Sequence, residues 1–311
     1  MSATRYTYLG PEGTFTEAAL RTLPEAATRE LVPMVSVSAA LDAVRGSEAA
    51  AALVPIENSV EGGVTTTLDE LANGEPLMIY REVLLPITFA LLVRPGTRLS
   101  DIKTVTGHPA AQPQVRNWLA AKLPEARWES APSNADGARL VREGRHDAAF
   151  AGEFAAPAYG LEALATQIHD AANAETRFVL VGRSARPSAP TGADRTSLIV
   201  WLDDDHSGAL LELLQELAVR GVNLMLIQSR PTGAGIGNYW FAVDAEGHIS
   251  EPRVTEALMG LRRWVPKMRF LGSYPRAGAA PVGVRAMRPG TSDREFVEAA
   301  DWLARVQDGR P

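Results

Sequence analysis

Between Arg5 and Gly182 the chain alternates short apolar runs with stretches of helical periodicity, beginning RYTYL, TFTEAALRTL, AAAALVPI, VTTTLDELA. Strands separated by helices pair in parallel, because each crossover helix returns the chain to the same end of the sheet. The rhythm therefore points to βα units around a parallel sheet. From Ile79 to Val93, IYREVLLPITFALLV reads as one or two strands crossing into a second lobe. A fresh α/β set follows: strand KTVTG, helix QPQVRNWLAAKL, strand ARWES, helix NADGARLVREG, strand DAAFAG, helix EFAAPAYG and strand TRFVLVG.

The rhythm breaks at RSARPSAPTGAD, which is dense in Pro, Gly, Ser and Ala, has no periodicity and reads as a linker. After it come strand TSLIVWL, an amphipathic helix GALLELLQELAVRG, strands VNLMLIQS and NYWFAVDAEG, helix VTEALMGLRRW and strand KMRFLGSY. That order, βαββαβ, is a ferredoxin-like unit. The 311 residues suit about two domains and exclude one small barrel or one bundle. The expected division is 1–183 for the α/β half, with lobe 1 about 1–80 plus 176–183 and lobe 2 about 81–175. A linker occupies 184–195, the βαββαβ unit 196–275, and a tail with the helix-like stretch SDREFVEAADWLARV fills 276–311.

A formal charge of −6 disfavours a polyphosphate or anionic lipid surface as partner, so neither nucleic acid nor membrane is expected. Any anionic ligand has to be met by a few local donors. With no cysteine, disulfides, thiolate nucleophiles and Cys-ligated metals are all excluded. The amino terminus has no apolar leader stretch and no segment is long and apolar enough to span a bilayer, so a cytoplasmic location is expected.

Three segments carry residue types suited to chemistry. GPEGTF, with Gly13 and Thr14, sits between a strand and a helix, where it serves equally as a tight turn or as a loop whose backbone N–H groups approach an anion. PIENS puts Glu57, Asn58 and Ser59 at the carboxyl end of a buried strand, where open α/β sheets place ligands, and reads as well as a capping set for the helix beyond Gly63. Thr176, Arg177 and Phe178 open the last strand of this half: Thr offers a neutral donor and Arg a two-pronged carboxylate clamp, while Thr and Phe are also ordinary strand residues and Arg an ordinary surface charge. The five histidines show no metal spacing, and His108, near Gln112 and Gln114, either lines a cleft or makes a structural hydrogen bond. No GxSxG is present, which leaves hydrolase triads unsupported.

Together, YLGPEGTFTEAAL, VPIENSVEGGV, GHPAAQPQ, DAAFAGEFAAPAYGL and TRFVLVG, in this order, resemble the prephenate dehydratase family, and the βαββαβ unit bearing SGALL and QSRP resembles its regulatory ACT domain. The resemblance covers residues 4 to about 275. It implies a two-lobed catalytic fold like that of type II periplasmic binding proteins, with substrate between the lobes. The implied reaction is conversion of prephenate to phenylpyruvate, water and carbon dioxide in phenylalanine biosynthesis, with no cofactor and no metal.

By the same resemblance Thr176 is the catalytic residue, and Arg177, Phe178, Glu57, Asn58, Ser59, Gly13, Thr14 and Gln114 bind substrate, Arg177 through a substrate carboxylate. Ala174 stands where the family often has Asn, and Asn173 lies one place earlier. The implied effector is phenylalanine, held between ACT domains of a homodimer or homotetramer by Ser207, Gly208, Ala209, Leu210, Gln228, Ser229, Arg230 and Pro231. Ser207 replaces the usual Pro and Gln228 the usual Glu, which leaves the effector's identity and sign open. Arogenate dehydratase and a non-catalytic amino-acid sensor are the alternative readings.

Overall fold

The structure is a computed structural model that describes residues 4–170, 173–202, 206–233, 238–278 and 288–310. The chain divides into two units, 1–70 with 83–181, and 71–82 with 182–311.

Along the chain the first elements are β1 (Arg5–Leu9), α1 (Phe15–Arg21), β2 (Glu30–Met34), α2 (Val37–Arg45), β3 (Ala51–Asn58), β4 (Gly62–Gly63), α3 (Thr65–Asn73) and β5 (Leu77–Pro86). The chain then forms β6 (Ala90–Val93), β7 (Thr104–Gly107), α4 (Arg116–Lys122), β8 (Arg127–Ser130), α5 (Asn134–Arg142), β9 (Ala148–Ala151), α6 (Ala156–Tyr159), β10 (Glu162–Ala165) and β11 (Glu175–Arg183). These build two sheets, β2-β1-β3-β11-β5 with β4 on β3, and β10-β6-β9-β7-β8, which are the two expected lobes. β1 pairs in parallel with β2 and β3, and β7 with β8 and β9, whereas β6 runs antiparallel to β9 and β10.

The chain crosses between lobes after Pro86 and before Glu175, not near residue 80, because β5 continues through VLLP in the first sheet. At the two crossings Ile87 N donates to Ala174 O at 2.7 Å. Each lobe has its own core. In the second, Phe150 is fully buried between Trp128, stacked at 5.7 Å and 21°, and Trp118, edge-on at 5.9 Å. Burial of one such aromatic contributes about 2–3 kcal/mol.

In the second unit β12 (Asp194–Leu202), α7 (Ala209–Ala218), β13 (Leu224–Pro231), β14 (Tyr239–Glu246), α8 (Pro252–Trp264) and β15 (Lys267–Pro275) form the expected βαββαβ unit, a four-stranded sheet in the order β13-β14-β12-β15. Residues 71–82, expected in the catalytic half, belong to this unit. The reason is polar as well as steric. Glu82 is buried against Arg195, 3.3 Å away, which also holds Asp244 at 2.8 Å, and Arg269 Nη1 donates to the carbonyls of Leu71 and Gly74 at 2.8 and 2.6 Å. Gly272 accommodates the carbonyl of Ile79 where a Cβ would clash.

The helix of the tail is α9 (Asp293–Gln307), opened by a Ser292–Glu295 capping box. Hydrogen bonds to the Glu295 carboxylate from the Ser292 side chain and from the backbone N–H of Ser292 and Gly290 hold its pKa at about 2. The Pro/Gly-rich stretch 279–287 lies outside the described residues.

Candidate functional site

Two adjoining cavities open between the lobes of the first unit. The smaller, about 210 Å³, has apolar lining residues that include Phe15, Ile87, Phe89 and Phe178, and its polar lining residues are Thr16, Asn58, Glu61, Gln114, Asn134 and Thr176. The larger, about 590 Å³, is lined by Thr14, His108 and Ser133 among others, and it shares Phe15, Thr16 and Asn134 with the smaller.

Thr176 is the second residue of β11 and is 7% exposed. A pleated strand sends neighbours to opposite faces, so Thr176 and Phe178 share the cleft face and Arg177 takes the other. Arg177 is 3% exposed, with Nε 3.3 Å from Glu57 Oε2, and neither residue lines either cavity.

Asn58, the last residue of β3, donates from Nδ2 to Thr176 Oγ1 at 2.9 Å. Its Oδ1 accepts from Val60 N at 2.8 Å and Glu61 N at 3.2 Å, an Asx turn that fixes which end of the amide faces the threonine. Thr176 Oγ1 thus receives a hydrogen bond from Asn58 and has its own proton to give to a bound molecule. Ser59 does not line the cavities; its N donates to Glu175 O and its Oγ accepts from Glu175 N, both at 2.9 Å, which ties the end of β3 to the start of β11 beside Thr176.

Gln114, 6% exposed, ends a 3-10 turn, Pro109–Gln114, inside the sequence that had suggested one longer helix. Its Nε2 donates to Ala110 O at 2.9 Å, and among the described residues no donor reaches its buried Oε1. His108 fills both of its expected roles: Nδ1 accepts from Ala110 N at 3.1 Å as the cap of that turn, and the residue lines the larger cavity.

Thr14 caps α1, accepting from Glu17 N at 3.3 Å and donating to Leu9 O at 3.1 Å. Gly13 lines neither cavity and has φ +79°, a conformation suited to glycine. Asn134 was missed by sequence reasoning. It opens α5 behind the N-cap Ser133, and its Oδ1 accepts from His108 N at 2.8 Å. The available signal was the S-N-A-D start directly after strand ARWES, a helix amino end at a strand's carboxyl end. Among the described residues no cluster of three His, Asp or Glu is arranged to hold a metal ion.

In the second unit, Leu202 and Pro231 both pair with Tyr239, so the SGALL and QSRP segments lie at the same end of the sheet. Gly208, at φ +100°, precedes α7, of which Ala209 and Leu210 are the first residues, and Gln228, Ser229, Arg230 and Pro231 finish the edge strand β13.

Residues 6–186 match the family model of prephenate dehydratase and residues 196–263 that of the ACT domain. Prephenate dehydratase of Mycolicibacterium vanbaalenii is 48% identical, with 98% of each chain covered. The crystal structure of prephenate dehydratase from Arthrobacter aurescens in complex with L-Phe superposes with a TM-score of 0.91 at 48% identity, covering 98% of this chain and 99% of that one. A quorum-quenching acylase is also similar, at 28% identity and a TM-score of 0.78, covering 88% of this chain and 98% of that one.

Proposed function

The chain belongs to the prephenate dehydratase family and is a carbon–oxygen lyase with an ACT regulatory domain, and on that premise we propose that Thr176, oriented by Asn58, is the donor to the departing hydroxyl. The observation that carries this reading is the 2.9 Å hydrogen bond from Asn58 Nδ2 to Thr176 Oγ1 at a cavity whose walls include Phe15, Phe89 and Phe178.

In the reaction, the ring carboxylate leaves as carbon dioxide, its bonding electrons enter the ring, and the C4–O bond breaks as the ring becomes aromatic. The oxygen that leaves must gain a proton to depart as water. A Thr hydroxyl is a weak acid, so Thr176 shares its proton in the transition state and is restored by solvent; its contribution is a placed hydrogen bond from a buried side chain. Gln114 Oε1 accepts from the same hydroxyl before it leaves. With Arg177 engaged by Glu57, the substrate carboxylates are met by neutral donors, including the N–H groups at the start of α5, where Asn134 lines both cavities.

The effector of the ACT domain is an amino acid, and we take it to be phenylalanine, seated by the N–H groups that open α7 and by the end of β13 between two copies of the chain in the cytoplasm. The test is purified protein with prephenate, following phenylpyruvate. Turnover by the wild type and a fall of about a hundredfold or more in kcat for Thr176→Val support the reading. Absence of turnover, or full kcat in the variant, refutes it.

A further inference from the structure

Tyr159 is the last residue of α6, in lobe 2, and its ring is buried. Its hydroxyl donates to the carbonyl of Glu12, in the GPEGTF loop of lobe 1, at 2.6 Å. The next residue, Gly13, lies against the ring, since a Cβ there would stand 3.1 Å from Tyr159 Cε2 and 3.2 Å from Ala155 Cβ. The Arg142 guanidinium lies over the ring, 5.6 Å from its centroid, and Phe154 meets Phe15 edge-on at 5.1 Å. Burial first, and then the Asp136 and Glu12 carboxylates, push the phenol above its usual range, so it stays protonated as the donor at neutral pH.

The segment EFAAPAYG of one lobe thus holds PEGTF of the other by one hydrogen bond and two close apolar contacts. The residues immediately beyond Gly13 form the cleft wall itself, since Thr14 lines the larger cavity and Phe15 and Thr16 line both. We propose that Tyr159 is a positioning residue for the reaction: its hydrogen bond to the Glu12 carbonyl fixes the GPEGTF loop in the form that closes the cleft over the substrate. This rests on the dehydratase reading above. Tyr159 lines neither cavity, so its effect falls on the population of the closed form, which scales apparent affinity and leaves the chemical step alone.

The test is Tyr159→Phe, which keeps the ring in its seat and removes one neutral hydrogen bond worth about fivefold in an equilibrium. The expected result is a KM for prephenate raised about fivefold, kcat within about twofold of the wild type, and a melting temperature shifted by only a few degrees. Amide hydrogen exchange at residues 12–16 should also speed up, a readout that needs no substrate. Phe154→Leu, which thins the second contact, should show the same split between KM and kcat. An unchanged KM, a loss confined to kcat, a rise in KM that merely tracks a large fall in melting temperature, or unchanged exchange at residues 12–16 would each overturn the proposal. Wild-type turnover in the same assay reports on the dehydratase reading separately.

Discussion

The polarity of the Asn58–Thr176 hydrogen bond can be reversed by a single atom. In Asn58→Asp one carboxylate oxygen still accepts from Val60 N and Glu61 N, so the turn after β3 keeps both of its hydrogen bonds. The other oxygen replaces the Nδ2 donor 2.9 Å from Thr176 Oγ1. The threonine must then donate its own proton to the introduced carboxylate, because an ionised carboxylate accepts only. The hydroxyl leaving the substrate loses its donor. In a site where Thr176 is 7% exposed, one lost transition-state donor costs about 3 kcal/mol, or roughly a hundredfold in kcat. Asn58→Ala removes the amide yet leaves the threonine proton free to turn toward substrate, so its kcat should fall by only about tenfold, while losing the Asx turn costs it about 1–2 kcal/mol of stability. Steady-state kinetics on prephenate with thermal melts of both variants gives the ordering. If Asn58→Asp retains more kcat than Asn58→Ala, Thr176 does not act as a donor oriented by Asn58.

Two further outcomes rest on the same kind of contact. Arg177→Met strips a buried cation from Glu57 and should lower stability by about 3 kcal/mol, seen as a fall in melting temperature, with KM for prephenate within about twofold; a large rise in KM with stability intact would restore the carboxylate-clamp role. Asp147 is half-buried in the second lobe: burial raises its pKa, but the N–H groups of Lys103 and Thr104 and the Thr104 hydroxyl together bring it below the usual range. A depressed carboxyl adds stability above its unfolded pKa near ~4 and loses it as pH falls through the lower folded value. Asp147→Asn should therefore be less stable than wild type at pH 7, with the gap closing in acid; parallel pH-stability curves would contradict this.

The alternation of apolar runs with helical stretches was enough to foresee both lobes and the βαββαβ unit, because period and spacing are local properties. The omissions have local causes as well. Strand β2, ELVPM, is half-exposed and contains Pro33, which an edge strand tolerates but which hides it from a search for buried runs. The site was legible as a set of residues and not as a geometry. Asn58 and Thr176 are 118 positions apart, so their hydrogen bond exists only once β3 and β11 are neighbours in the sheet. TRF read as a string puts three side chains together, while the pleat of a strand turns the middle one, Arg177, to the face opposite Thr176 and Phe178. The EFAAPAYG motif belonged to the family pattern without a role, and its contact with GPEGTF again lies between distant parts of the chain.

The hydrogen bond from Ile87 to Ala174 marks where both chain crossings meet, and Thr176 is two residues from it. When one body swings against another, an atom travels in proportion to its distance from the pivot. Thr176 and Asn58 belong to the first sheet, on one side of that bond, and Gln114 and Asn134 to the other lobe, so a rotation about the crossings would leave the pair in register. The hydroxyl proposed to react would then sit at the pin of the door. Substitutions far from the crossings would in that case alter the rate of such a rotation without moving Asn58 and Thr176 relative to each other.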